Sequence, residues 1–206
     1  MGWMSAIGTV FKGNANIVSF NEFKCFTSVT WIGHNTQYGA AAFAACSNLQ
    51  EITMPHGLVG IGCQCFNRCT KLTKAVISNT VTTISGQAFQ EASGYKNVVI
   101  PDSVRSIGGA CFGYPLSKVT IGTGIKTIYN SAFGKWNHRI PVFIIKSITP
   151  PPLTSSGFFY TDNQYYPNNI YVPDNCVDAY KTAWSPYQDV IKPMSSYTGE
   201  IPPTDY

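Results

Sequence analysis

Apolar positions along this chain recur as a phrase. Ala42-Phe43 returns as Cys65-Phe66, Ala88-Phe89, Cys111-Phe112 and Ala132-Phe133, so the phenylalanines stand 23, 23, 23 and 21 residues apart. Ile61, Ile84, Ile107 and Ile128 run in step. A period in the twenties predicts a solenoid. One unit is too small to bury its own apolar surface, and stacking makes the core continuous.

Within the unit, the alternations Ile52-x-Met54, Val98-x-Ile100 and Val119-x-Ile121 predict short strands with one buried face. Pro55, Pro101 and Gly122 follow directly and end them. A second apolar pair, such as Val104 and Ile107, turns the chain back inward. The small residue before each phenylalanine suits a place where coils approach closely. The phenylalanine then fills the interior opposite the strand. The fourth unit has a shorter link from Phe112 to its strand, which accounts for the 21-residue gap. A fifth, degraded unit offers Val142 and Ile144.

The unit Ala42-Phe43-x-x-Cys46-x-x-Leu49-x-x-Ile52-x-Met54-Pro55-x-x-Leu58-x-x-Ile61-Gly62 and its three successors resemble the BspA-like leucine-rich repeats, a bacterial and phage-associated group. The resemblance covers about residues 20–145, with an insertion around residues 34–39. Ala75 and Tyr95 depart from the usual larger aliphatics, and Ala92 from the usual cysteine. The resemblance implies a β-rich leucine-rich-repeat solenoid. Short parallel strands would stack on one face, with turns and short helical segments on the other. The expected division is an N-terminal segment or cap at 1–19, repeats at 20–145, a C-terminal cap at 146–193 and a flexible tail at 194–206. In that cap, residues 150–152 force extended chain, Ile170 to Val172 supplies a last strand, and Val177, Tyr180 and Trp184 mark a short helix.

Composition fits a single folded, turn-rich domain. The chain has 206 residues, 44% apolar and only 12% charged, with 18 Gly and 13 Pro. The net charge of +4 is spread without a basic run, so no nucleic-acid footprint is expected. No stretch is long and apolar enough for a membrane helix. Residues 1–11 lack a charged start before a long apolar core, so no signal peptide is expected in this chain.

Chemistry is hard to find. The seven cysteines are an odd number, which argues against a full disulfide framework. Cys46 and Cys69 share one repeat column, Cys65 and Cys111 another, and Cys25 is read as an inward strand position. These columns explain most of Cys63-x-Cys65-x-x-x-Cys69 without a metal. His34, His56 and His138 fall in turns or insertions, away from any nucleophile motif. The repeat also explains the glycines of Gly57-Leu58-Val59-Gly60-Ile61-Gly62. No catalytic residue, cofactor or metal is expected.

A partner would meet the outward strand positions. One column reads Glu51, Lys74, Asn97, Lys118, the next Thr53, Val76, Val99, Thr120, with Lys24 extending the face at its N-terminal side. Turn aromatics are a second lead, Trp31 foremost, then Tyr38, Tyr114, Tyr129, Trp136 and the run Gln164-Tyr165-Tyr166-Pro167. The resemblance implies a non-enzymatic binding module of a surface or secreted bacterial protein, adhering to host or microbial protein or glycan. The alternative is a structural or receptor-binding part of a larger assembly, such as a phage tail or multidomain surface protein.

Overall fold

The computed structural model of the chain describes residues 6–33, 41–113, 115–134, 138–153, 157–159 and 166–205. Each repeat contributes two strands and one turn, and successive repeats stack in parallel. β1 (Ala6–Ile7), β3 (Trp31–Ile32), β5 (Gly60–Ile61), β7 (Thr83–Ile84), β9 (Ser106–Ile107) and β11 (Thr127–Ile128) form one parallel sheet of two-residue strands. Strands of three or four residues, with a two-residue strand at one edge, form the second, longer-strand side. β2 (Ser19–Phe20), β4 (Glu51–Thr53) and β6 (Lys74–Val76) make one sheet. β8 (Asn97–Ile100), β10 (Lys118–Ile121), β12 (Val142–Ile145), β13 (Ile170–Val172) and β14 (Ile191–Pro193) make another.

The predicted strand alternations lie in β4, β8 and β10, with Ile52, Val98, Ile100, Val119 and Ile121 buried. The second apolar pair is more than a bend. Its isoleucines are the second residues of β5, β7, β9 and β11.

The third side carries the phenylalanines. Phe11, Phe43, Phe66, Phe89, Phe112 and Phe133 form one stack, with centroids 5.0–5.3 Å apart and ring planes within 2–11°. The backbone holds the spacing. The N–H of Phe43 donates to the Cys65 carbonyl at 2.9 Å, and that of Phe66 to Ala88 at 2.7 Å. Phe89 to Cys111 and Phe112 to Ala132 repeat the bond at 2.9 and 2.8 Å. The small residue before each phenylalanine is therefore the acceptor for the coil before it. Column cysteines add to this: the thiols of Cys46 and Cys69 donate to the Phe11 and Phe43 carbonyls at 2.9 and 3.0 Å.

This turn needs left-handed backbone at ordinary residues. Gln64, Gln87, Ala110 and Ser131, two before a phenylalanine, have φ of 57, 59, 50 and 55°. Ala45, Arg68 and Glu91, two after one, have φ of 59, 60 and 59°. Each such residue costs on the order of 1 kcal/mol. Coil-to-coil bonds offset it, such as Ala45 N–H to Asn67 O at 2.7 Å and Arg68 N–H to Gln90 O at 3.0 Å. Gly108 answers a different constraint. A Cβ there would overlap the Gly86 backbone of the coil before, so no side chain fits.

Helical turns gather at the two ends of the stack. Residues Asn21–Cys25 form a 3-10 turn with Phe23 buried. This corrects the reading of Cys25 as an inward strand position: it ends the turn and is exposed, because Phe23 takes the interior. At the other end, α1 (Val177–Ala183) presents the predicted helix. Tyr180 Oη donates to the Ser147 carbonyl and Trp184 Nε1 to the Pro151 carbonyl, both at 2.8 Å. β14 follows β13, so Ile170–Val172 is not the last strand.

The other six cysteines are buried. Burial, with help from neighbouring Cys46, pushes the Cys69 thiol up to about 12 from an ordinary 9.0. Burial likewise raises Cys65 and Cys111. Folded, these thiols pack as small neutral hydrophobes.

Three measurements check this core. Truncating the stack at its centre, Phe89→Ala, is expected to cost about 3–5 kcal/mol by chemical denaturation. The raised thiols make the unfolded chain the stronger acid, so stability present below 9.0 is lost as pH climbs towards about 12. In native chain near pH 8, Cys25 alone is expected to react rapidly with a disulfide reagent; fast labelling of a second thiol contradicts the packing.

Candidate functional site

The outward positions of the longer strands fall into two rows, as the alternation requires. Register places Ser19 beside Glu51, and Glu51 beside Lys74. Asn97, Lys118 and Val142 continue the first row. Thr53 and Val76 begin the second, which continues as Val99, Thr120, Ile144 and Tyr171. Glu51, Thr53, Lys74, Val76, Asn97 and Val99 are all solvent-accessible on this face. Asn21 anchors its N-terminal end, donating to Glu51 Oε2 at 3.4 Å and accepting from Thr53 Oγ1 at 2.9 Å.

Three sequence-selected residues sit elsewhere or differently. Lys24 lies in the 3-10 turn, and Ser19 takes the strand position expected of it. Trp31 is in β3 of the two-residue sheet, with its ring over Gly60, where a Cβ would collide with the indole. It therefore packs on a neighbouring strand away from this face. Thr120, expected to face solvent, is 0% exposed, and its Oγ1 has no hydrogen-bond partner among the described residues. Tyr129 is exposed at a turn, while Tyr166 packs against Tyr187 and under Arg139. Tyr38, Tyr114, Trp136, His34 and residues 164–165 lie outside the described residues. His138 Nε2 sits 3.0 Å from the Leu116 carbonyl, a structural contact.

The face is split in the middle. β6 and β8 are successive rungs, yet no ladder joins them. The two departures from the repeat explain why. Tyr95 occupies the column of Leu49 and Leu72, and its ring needs space that Ala75 leaves. A buried phenol also needs a partner. Tyr95 Oη donates to the Ala75 carbonyl at 3.1 Å, occupying an acceptor at the edge of β6. Beside it, Lys96 N–H turns to Gly94 O at 2.9 Å, whereas its counterparts Thr73 and Ser117 donate to the preceding coil. The seam opens a crevice of about 350 Å³, lined by Lys74, Val76, Asn97 and Val99 with Ala75 and Tyr95. Val76, Val99, Ala75 and the Tyr95 ring make its walls mainly apolar, with the Lys74 ammonium, the Asn97 amide and the Thr73 hydroxyl around them, a combination suited to a polypeptide segment.

Beyond the seam the face is covered by the end of the chain itself. Residues 194–205, expected from sequence to be a flexible tail, fold back across β10 and β12. Lys118 Nζ donates to the Glu200 carbonyl, and its ammonium stands 5.2 Å from the Tyr197 ring centroid. Lys146 Nζ donates to Pro202 O at 3.0 Å and to Thr204 Oγ1 at 3.1 Å. The Asp102 N–H donates to Thr204 O at 2.8 Å, and Tyr197 packs on Tyr171 with centroids 4.8 Å apart. In register, Thr120 stands on β10 between the Lys118 and Lys146 anchors of this segment. Partial burial pushes the Asp102 carboxyl up, but the Thr123 N–H, the Thr204 hydroxyl and nearby Lys146 outweigh it and hold the carboxyl below its ordinary range.

Comparison with known proteins agrees with this geometry. The sequence profile described as "BspA type Leucine rich repeat region (6 copies)" matches residues 15–139. No curated protein matches the chain. Among solved structures, a leucine-rich repeat protein of T. pallidum is similar at 20% identity and a TM-score of 0.55, over 84% of this chain and 79% of that one. The pneumococcal vaccine antigen PcpA is similar at 18% identity and a TM-score of 0.58, over 82% of this chain and 38% of the antigen. At these identities the likeness is one of fold.

The seam has its own test. Tyr95→Phe keeps the ring and strands the Ala75 carbonyl, at an expected cost of about 1–2 kcal/mol in thermal or denaturant unfolding. Tyr95→Leu with Ala75→Val restores the repeat pattern and is expected to recover stability while closing the crevice. A neutral Tyr95→Phe contradicts this account of the seam.

Proposed function

The chain belongs to the BspA-type leucine-rich repeat family, and from that premise we propose that it is a non-catalytic polypeptide-binding module whose ligand lies on the longer-strand face, over the seam between β6 and β8. The observation that carries this reading is the crevice itself. It is the place on the face where a ladder is interrupted, aliphatic side chains stay accessible and an ammonium stands ready. A partner's side chain fills the space between Val76 and Val99, and Lys74 meets a carbonyl or carboxylate beside it. Repeat proteins bind along such regular faces because each coil presents the same positions in register.

The module acts at a bacterial cell surface or in a secreted protein, as an adhesion module towards host or microbial protein. The family assignment supports that setting. Among the described residues no helix is long and apolar enough to cross a membrane. Polypeptide is preferred to glycan because the accessible walls of the crevice are chiefly the aliphatic Val76 and Val99, its Tyr95 ring is buried, and the exposed Tyr129 lies off this face.

An array of extracellular-matrix proteins and glycans, probed with labelled chain and with its Val99→Asp variant, tests the reading. Capture by at least one protein is expected, with affinity falling about tenfold or more on Val99→Asp while the fold is kept. Capture by glycans alone, or protein capture indifferent to Val99→Asp, overturns it.

A further inference from the structure

The outward row Val76, Val99, Thr120, Ile144, Tyr171 changes character along its length. Val76 and Val99 are half-buried and open to solvent beside the seam. Thr120, Ile144 and Tyr171 are 0, 0 and 9% exposed, although all three point away from the solenoid interior. None of the three belongs to the main core cluster. A second, smaller apolar layer therefore lies on the outside of the sheet, and residues 197–205 are what covers it.

The manner of cover is informative. The segment crosses between Lys118 and Lys146, which flank Thr120 and Ile144 along their strands. Three of its polar contacts engage main-chain carbonyls, at Glu200, Pro202 and Thr204. Ile201 and Pro202 are partly buried and Thr204 is 2% exposed. Pro202 and Pro203 bring no N–H, so they place no unsatisfied donors over an apolar row. Consecutive prolines also hold the segment extended at low entropic cost. The face thus recognises backbone carbonyls with two lysines and one N–H, and an aliphatic–proline stretch with its apolar row.

We propose that residues 197–205 are a tethered strap seated where a partner binds, and that the partner is an extended polypeptide segment with an aliphatic residue followed by proline. This rests on the reading of the longer-strand face as the binding surface, and adds the chemistry of the ligand and a built-in competitor. The same row runs on from the strap to the open seam, so an incoming chain that first engages Val76 and Val99 then displaces the strap from Thr120 and Ile144.

A labelled synthetic peptide with the sequence of residues 197–205 is the probe, followed by fluorescence anisotropy against three full-length chains. These are the unmodified chain, a strap-release variant Ile201→Gly/Thr204→Gly, and that variant with Lys146→Ala. Amide exchange in residues 197–205 verifies release. Release is expected to tighten peptide binding by about tenfold or more, and Lys146→Ala to weaken it again by about fivefold or more. A scrambled peptide is not expected to bind. Equal affinity for strapped and released chains, or no binding to the released chain, overturns the proposal. If the peptide fails while a protein from the array still depends on Val99, the strap inference falls and the binding face stands.

Discussion

Parallel stacking of one aromatic ring per coil is the constraint on which the rest depends. Rings about 5 Å apart match the spacing of hydrogen-bonded parallel strands, so the phenylalanine column and the two strand sides advance in step. The shared rise explains why the preceding residue must be small, and why its carbonyl is free to accept the previous coil's Phe N–H. It also explains why ordinary residues on either side accept left-handed backbone. Break the column and each coil loses the partner that buries it.

With the core so regular, departures from the repeat become conspicuous, and the two that matter are one feature. Ala75 makes room and Tyr95 fills it, and the phenol takes a carbonyl at the edge of β6. The sheet opens there, in the middle of the face best placed to meet a partner. A solenoid offers many equivalent surface positions. A local fault in its ladder makes one of them distinct without an added loop or domain.

The sequence was most legible where physics repeats. The period, the strand alternations in β4, β8 and β10, and the inward Phe, Ile, Leu and Cys columns follow from spacing alone. Legibility failed where a residue's environment depends on a partner outside the period. Cys25 and Lys24 read as strand positions because Phe23 shares the local pattern, but the end of the stack winds into a 3-10 turn. Trp31 looked exposed because nothing local says that Gly60 leaves space for its ring. Ala75 and Tyr95 were visible as two anomalies, though not as a complementary pair. The strap was least visible, since it docks largely through main-chain carbonyls, which any sequence supplies. The alternation also assigns Thr120 to solvent on purely local grounds, although it is fully buried in the fold. The fifth unit is misread from sequence: Val142 and Ile144 look like its inward strand pair, but register with β10 turns Phe143 and Ile145 inward and leaves Val142 and Ile144 outward, because the degraded unit lacks the spacing that fixes the phase of its strand.

The outer face is then two halves of one groove, one open at the seam and the other closed by the chain's own end. The most direct measurement of this account is a nuclear Overhauser spectrum of the labelled full chain, with amide exchange at Asp102. The account predicts cross-peaks from the Tyr197 ring to Lys118 and Tyr171, and slow exchange of the Asp102 N–H that Thr204 accepts. Absent cross-peaks together with free-chain exchange at Asp102 would contradict it.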